Sequence, residues 1–381
     1  MTSRQRVVAA MNHEPVDRTP IDLGSHMSTG ISVFAYWKLR EHLGMSTDSI
    51  WMPDVVQCLA HVDLDVMERF HVDCILLEPM WPQPARWSPR PPYQFTVPAA
   101  LRPTMNAGGE WIVRKGERSM RMPEGGFFFD GDWLSDWGEG GEDDRVRLYA
   151  REAERNYKET PYATNLVGYS HGLGFPSYFG GSVERAVRML VEPDSVIAEN
   201  ERACQDAVRR FRKVNESFGK YVQLLTVADD MGMQTGPMCS PELIERFAMP
   251  YYKRFCDAVH AHSDIKVFLR CCGSIKPLIP LLIESGIDVL NPVQISAANM
   301  EPRELKGSFG DRITFWGGGC DTQRILAPKG PADLARNVKE LVSVFGKGSG
   351  FVFNQVHNIM GDVPPENVVA MLDTAYEESW S

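Results

Sequence analysis

The stretch Lys266-Val267-Phe268-Leu269-Arg270-Cys271-Cys272-Gly273 decides how this chain is read. Val267, Phe268 and Leu269 are consecutive apolar residues with no alternation. An alternating strand keeps one wet face. A continuous apolar run belongs to a strand covered on both faces, as in a parallel sheet packed by helices. The run ends in a cation and two thiols, and a glycine closes it.

The same form recurs along the 381 residues. Short runs rich in Val, Ile, Leu and Phe lie at 20–24, 74–78, 166–170, 222–227, 266–269, 289–291, 313–316 and 351–354. Amphipathic stretches separate them, at 181–190, 194–218, 240–262, 275–285, 302–309, 331–345 and 365–378. Ser240-Pro241-Glu242 is an N-cap followed by proline at the first helical position. Val196, Ile197, Ala203, Ala207, Val208 and Phe211 fall at helical spacing. A short helix over 3–12, carrying Val7, Val8 and Met11, precedes turns at Pro15 and Pro20. Strand and helix repeated eight times predict an α/β fold, a single (β/α)8 TIM-type barrel over 1–381 with an N-terminal helix. A doubly wound open sheet is the alternative, and it usually needs fewer strands.

One stretch breaks the rhythm. Residues 80–142 hold Trp81, Trp87, Trp111, Trp133 and Trp137 among prolines and glycines. Segments 110–115 and 119–122 read as a hairpin. This is an insertion after the second strand, at the barrel mouth. It serves as a structural flap or dimer contact, or as a lid over an aromatic substrate.

Composition bounds the function. Apolar residues make up 43% and support a large core, while the net charge of -10 argues against nucleic acid as the partner. No apolar run approaches the roughly 18 residues of a membrane span. The opening Met1-Thr2-Ser3-Arg4-Gln5-Arg6 is too polar for a secretion signal. Eight cysteines are too sparse for a disulfide scaffold and fit a reducing cytoplasm. Cys58, Cys74, Cys204 and Cys256 lie inside helical or strand patterns and read as small buried apolar residues.

Barrel enzymes carry their reactive groups just past the C-terminal strand ends. Those positions hold Asp22 and His26, then Glu78, then Tyr169, Ser170 and His171, then Asp229 and Asp230. Arg270, Cys271 and Cys272 follow, then Asn291 and Gln294, Cys320 and Asp321, and finally Asn354 and His357. Glu78, Tyr169, His171, Asp229, Asn291, Gln294 and Asn354 are the candidates for substrate binding. Cys272 and Cys320, the latter behind Gly317-Gly318-Gly319, could share a soft metal, zinc first, with His357, Glu78, His171 or Asp230 completing the set. The plain alternative is two unpaired thiols. Asp229-Asp230 either holds a cation or exchanges protons, or one of the pair caps the next turn. No phosphate loop, nucleophile elbow or dinucleotide fingerprint is present.

Asp229-Asp230-Met231-Gly232, Gly236-Pro237-Met238-Cys239-Ser240-Pro241, Arg270-Cys271-Cys272-Gly273-Ser274, Asp288-Val289-Leu290-Asn291-Pro292-Val293-Gln294, Trp316-Gly317-Gly318-Gly319-Cys320-Asp321 and Phe353-Asn354-Gln355-Val356-His357 form one group. As a group they resemble the uroporphyrinogen decarboxylase superfamily, which includes cobalamin-dependent methyltransferases on the same barrel. The resemblance covers nearly the whole chain and is densest after residue 221. Porphyrinogen decarboxylases grip substrate carboxylates with an arginine-rich segment near the N-terminus. Here that region reads Ile21-Asp22-Leu23-Gly24-Ser25-His26-Met27-Ser28, with no arginine.

The resemblance therefore implies the methyltransferase branch. That branch uses zinc, held by a His-x-Cys pair and a later cysteine, to activate a thiol or similar acceptor. Cys272 and Cys320 fall at the cysteine positions, and Arg270 stands where the histidine would be. A guanidinium stays protonated and cannot ligate. Either His357 completes the metal set, or the set is lost and Arg270 clamps a substrate carboxylate or phosphate. On the first reading the chain performs zinc-assisted methyl transfer, demethylating a small substrate or methylating a thiol or folate-type acceptor. Its cobalamin would ride on a separate corrinoid protein, since no Asp-x-His-x-x-Gly loop occurs here. On the second it is a metal-free decarboxylase or lyase for a small carboxylated or aromatic substrate, with Arg270, Asp230 and His357 catalytic. A non-catalytic ligand-binding barrel is the third. The resemblance also implies a homodimer.

Overall fold

The computed structural model describes residues 1–79, 83–134, 141–168, 175 and 177–380. Its centre is a curled sheet of seven parallel strands: β1 (Cys74–Leu76), β2 (Ala163–Val167), β3 (Leu224–Ala228), β4 (Lys266–Arg270), β5 (Val289–Asn291), β6 (Thr314–Trp316) and β7 (Phe351–Val352). Strands adjacent in sequence are adjacent in the sheet, the order that repeated strand–helix units produce. The register sets Arg270 between Ala228 and Asn291.

The first predicted strand, 20–24, is reduced to an extended segment. Pro20 has no N–H to give, and Gly24 turns the chain at φ +87°. The segment still joins the sheet edges. Ile21 bridges Phe353 in parallel, and the Asp22 N–H donates to the Phe353 carbonyl at 2.9 Å. On its other side the Asp73 N–H donates to the Ile21 carbonyl at 2.7 Å. The expected eight-stranded ring is met by seven strands and one stave of this kind.

Non-alternating runs became strands buried on both faces, and β1, β2, β5, β6 and β7 have no exposed residue. Helix α1 (Ser3–Met11) starts in a capping box between Thr2 and Gln5. Its Val7, Ala10 and Met11 pack against Cys74, Ala163, Leu224, Phe268, Val289, Trp316 and Val352, one residue from each strand. The N-terminal end of the barrel is thereby sealed, and each large apolar side chain buried there contributes about 1.5–3 kcal/mol. The predicted helix over 240–262 is two, Pro241–Phe247 and α2 (Met249–His262), because Pro250 removes an N–H from the junction.

Residues 84–131 fold largely as β-structure. Thr104–Met105, Glu110–Lys115, Arg118–Pro123 and Asp130–Gly131 form a four-stranded antiparallel sheet that contains the predicted hairpin. Trp87 and Trp111 meet edge to face, their ring centres 5.6 Å apart, and Trp87 also packs on Phe95 and Phe129. Trp87 and the half-buried Trp111 join the main hydrophobic core, where Trp87 also meets Phe34 at 6.4 Å between ring centres. Trp81 and Trp137 lie outside the described residues. Among the described residues no helix is long and apolar enough to cross a membrane.

Candidate active site

Strands β3 and β4 end side by side, and their loops cross without side chains between them. A Cβ on Gly273 would lie 2.5 Å from the carbonyl carbon of Gly232, and Gly273 has φ +93°. Only glycine fits there. This close approach brings the residues after Ala228 against those after Leu269.

Asp230 and Arg270 form an ion pair across that junction. Asp230 also accepts the Cys272 backbone N–H at 3.1 Å. The far end of the guanidinium, Nη2, lies 3.4 Å from Nε2 of His357, delivered by the loop after β7. His357 sits in left-handed backbone at φ +64°, a conformation a non-glycine residue rarely adopts. The turn is held from outside. The Val356 N–H donates to the Cys320 carbonyl at 2.9 Å, and Thr322 Oγ1 donates to the Val356 carbonyl. A guanidinium can only donate, so Nε2 of His357 accepts and its proton rests on Nδ1. Burial first, and the Arg270 charge second, push His357 down to about 4, with Asp230 opposing. The imidazole is neutral at neutral pH.

Below this trio sits His26, buried, with Nδ1 2.8 Å from Ser28 Oγ. Burial first, and the Arg270 charge second, hold His26 well below the ordinary histidine range. Ser28 Oγ donates to Asn291 Oδ1 at 2.5 Å, and Asn291 Nδ2 donates to the Trp316 carbonyl at 2.9 Å. The indole N–H of Trp316 donates at 2.8 Å to Asp22, a wholly buried carboxyl that burial pushes up to about 6. His26 belongs to the strand-end set, but only its spatial neighbours mark it as part of this site.

Several candidates turn out to hold loops. Asp229 accepts from Ser177 Oγ, from the backbone N–H groups of Tyr178, Phe179 and Gly180, and from the Tyr252 hydroxyl, at 2.6–3.0 Å. Its lone pairs are spent, so it is the capping member of the acidic pair and not a substrate ligand. Gln294 accepts the Gly273 N–H at 2.8 Å. Asn354 Nδ2 donates to the Asp22 carbonyl at 3.0 Å, and Asn291 is used as above. Glu78 lines a cavity with His61 and Glu152 and shares no lining with the Asp230–Arg270–His357 set. Tyr169 and His171 lie outside the described residues.

The metal set does not assemble. Among the described residues no three His, Cys, Asp or Glu side chains converge as a metal ion requires. Cys272, Cys320 and His357 are therefore not a common ligand shell here. Cys320 is fully buried, and its contribution to the mouth is the backbone carbonyl that fixes Val356. Cys272 is part-exposed, and burial pushes its thiol up to about 12 against the pull of Arg270. Cys271 faces inward and is buried, with its sulfur 3.4 Å from the Met231 N–H.

Known proteins share this architecture. A family model described as uroporphyrinogen decarboxylase (URO-D) matches residues 180–378, just over half of the chain. The uroporphyrinogen decarboxylase of Thioalkalivibrio sulfidiphilus is 23% identical over 98% of this chain and 97% of its own length. That of Hahella chejuensis is 37% identical over 140 residues, 35% of this chain. In that match, and in the one to the Chloroherpeton thalassium protein, the chain spans only about a third of the relative's length, 36% in each. Among solved structures, a methyltransferase from Methanosarcina mazei superposes with a TM-score of 0.59 at 16% identity, covering 99% of both chains, which is a likeness of fold. This chain belongs to the uroporphyrinogen decarboxylase family.

Proposed function

We propose that the chain is a metal-free decarboxylase or lyase that holds a small carboxylated substrate against Arg270. The observation that carries this is the Asp230–Arg270–His357 arrangement at the strand ends: an oriented guanidinium beside a neutral imidazole. Arg270 presents a planar, permanently charged donor set suited to a carboxylate, and Asp230 fixes its plane. In decarboxylation the bond to the leaving carboxylate breaks, its electron pair stays on carbon, and a proton must reach that carbon. A neutral imidazole gains a proton at one nitrogen as it releases one from the other, which is the role given to His357.

Benzoate and acetate serve as probes in ligand-observed NMR. Saturable binding to the purified chain, weakened at least tenfold in Arg270→Gln and partly kept in Arg270→Lys, supports the reading; a charge-assisted pair is worth roughly that much. Equal binding by the Arg270→Gln variant sinks it. Release of labelled CO2 from carboxyl-labelled aromatic acids then identifies the reaction.

The second reading is zinc-assisted methyl transfer with cobalamin on a separate protein. Cys272 favours it, because its thiol interacts with Asp230 and Arg270 at the same strand end. Its test is zinc stoichiometry and methyl transfer in Arg270→His, which supplies the histidine that this branch uses.

A further inference from the structure

Helix α1 packs on one residue of each strand, among them Cys74, Ala163, Leu224, Phe268 and Val289, so these side chains point into the barrel. Side chains alternate along a strand, and residues two apart point the same way. The inward positions above that first layer include Leu76 on β1, Asn165 and Val167 on β2, Thr226 on β3, Arg270 on β4 and Asn291 on β5. Among the described residues of β1 to β5, Arg270 is the only charged side chain at such a position.

The uncharged polar members bind the protein itself. Thr226 Oγ1 donates to Asn165 Oδ1 at 2.8 Å, and Asn165 Nδ2 donates to the Ser25 carbonyl at 3.1 Å. Asn291 is held by Ser28 and by the Trp316 carbonyl. The upper interior therefore has a charged side at β4 and a different side at β1, β2 and the extended segment 20–24, which stands opposite β4 in the strand order.

That second side is apolar. Leu76 and Val167 pack with Met27 and Leu59 into a cluster separate from the main core. The cluster borders the site. Met27 follows His26, whose ring packs on Phe268 with 5.3 Å between centres, and Phe268 lies two residues before Arg270. The Met27 carbonyl also accepts from Asn358 Nδ2 at 2.9 Å, next to His357. Met27 and Leu76 each remain 8% exposed, so the cluster still shows apolar surface. A methylene laid on such surface gains about fourfold in affinity, whereas a carboxylate there loses its water with no cation to replace it.

We infer that the substrate of this site is a monocarboxylate with an apolar body, an alkyl or aryl acid. Its carboxylate meets Arg270, and its body lies on Met27, Leu59, Leu76 and Val167, which set specificity. The inference rests on the carboxylate reading proposed above and adds the substrate class to it.

The test is calorimetric titration of the full chain with acetate, butyrate and hexanoate, with adipate, and with ethanol and hexanol. Hexanoate should bind at least about tenfold more tightly than acetate, the effect of about two buried methylenes. Adipate, of the same chain length, should bind at least about tenfold more weakly than hexanoate. Leu76→Asn and Met27→Gln, polar and nearly isosteric, should each cut the hexanoate-to-acetate ratio several-fold. A ratio taken within one preparation is not mimicked by a partial folding defect. Equal affinities along the acid series, adipate as tight as hexanoate, or a ratio unmoved in both variants overturns the inference. The carboxylate reading survives those results if Arg270→Gln still weakens every acid. Acids that do not bind, or that bind Arg270→Gln equally, sink the carboxylate reading, and the alcohols then decide the apolar half. Hexanol tighter than ethanol, with the gain lost in Leu76→Asn, supports it, and equal alcohols overturn it.

Discussion

Arg270 Nη2 and His357 Nε2 lie 3.4 Å apart, although 87 residues separate them in sequence. The contact makes His357 an acceptor and, with burial, keeps it neutral. Replacing Arg270 by Gln removes one of the two causes of the low pKa. The His357 titration should move up from about 4 toward the ordinary histidine range and stop short of it, because burial remains. Imidazole carbon chemical shifts followed against pH would show this. An unmoved titration would mean that the two side chains are not in contact.

His357 also links pH to stability. Its folded pKa is depressed, so an unfolded chain takes up the proton first as pH falls. The contribution is complete above the unfolded value of about 6.5 and is lost as pH drops toward about 4, with a ceiling of about 3 kcal/mol. His357→Gln should flatten the loss of stability in that window in urea titrations run at several pH values. A parallel pH dependence in both proteins would contradict the assignment.

Asp22 works in the opposite direction. Its folded pKa is raised to about 6, so the folded state holds this proton more tightly and loses stability as pH climbs from about 4 to 6. Asp22→Asn keeps an acceptor for the Trp316 indole and removes the charge. The variant should gain on the parent protein across that window, by up to about 3 kcal/mol. A constant difference between the two would show that Asp22 is not titrating there.

Two glycines of the same region make a matched pair. Gly273→Ala sets a Cβ 2.5 Å from Gly232 backbone in left-handed geometry and should cost about 3 kcal/mol or more. Gly236→Ala meets nothing within 4 Å and should fall within about 0.5 kcal/mol of the parent. Denaturant midpoints at a common slope would separate them.

Metal content is measurable directly. Because Cys272, Cys320 and His357 do not converge, the purified chain should hold less than about a tenth of an equivalent of zinc and should not be stabilised by added zinc. One equivalent that survives dialysis would restore the methyl-transfer reading to first place.

The sequence by itself determined the parallel, barrel-like sheet and the strand ends at which the polar candidates gather. Runs such as Val267-Phe268-Leu269 have no polar alternation, which only a doubly covered strand tolerates, and a polar cluster follows each of them. Arg270, Asp230 and His357 were all legible as members of those clusters. Which members meet was not legible, because partnership depends on loop crossings and burial that no spacing encodes. Asp229 and Asp230 are adjacent and chemically identical, yet one is spent on five donors beneath a loop and the other faces Arg270. Cys320 read as a ligand and is buried as a turn support. The strand ends named the candidates. Tertiary packing decided, through Gly232 against Gly273 and through the strained turn at His357, that a guanidinium and an imidazole share this site.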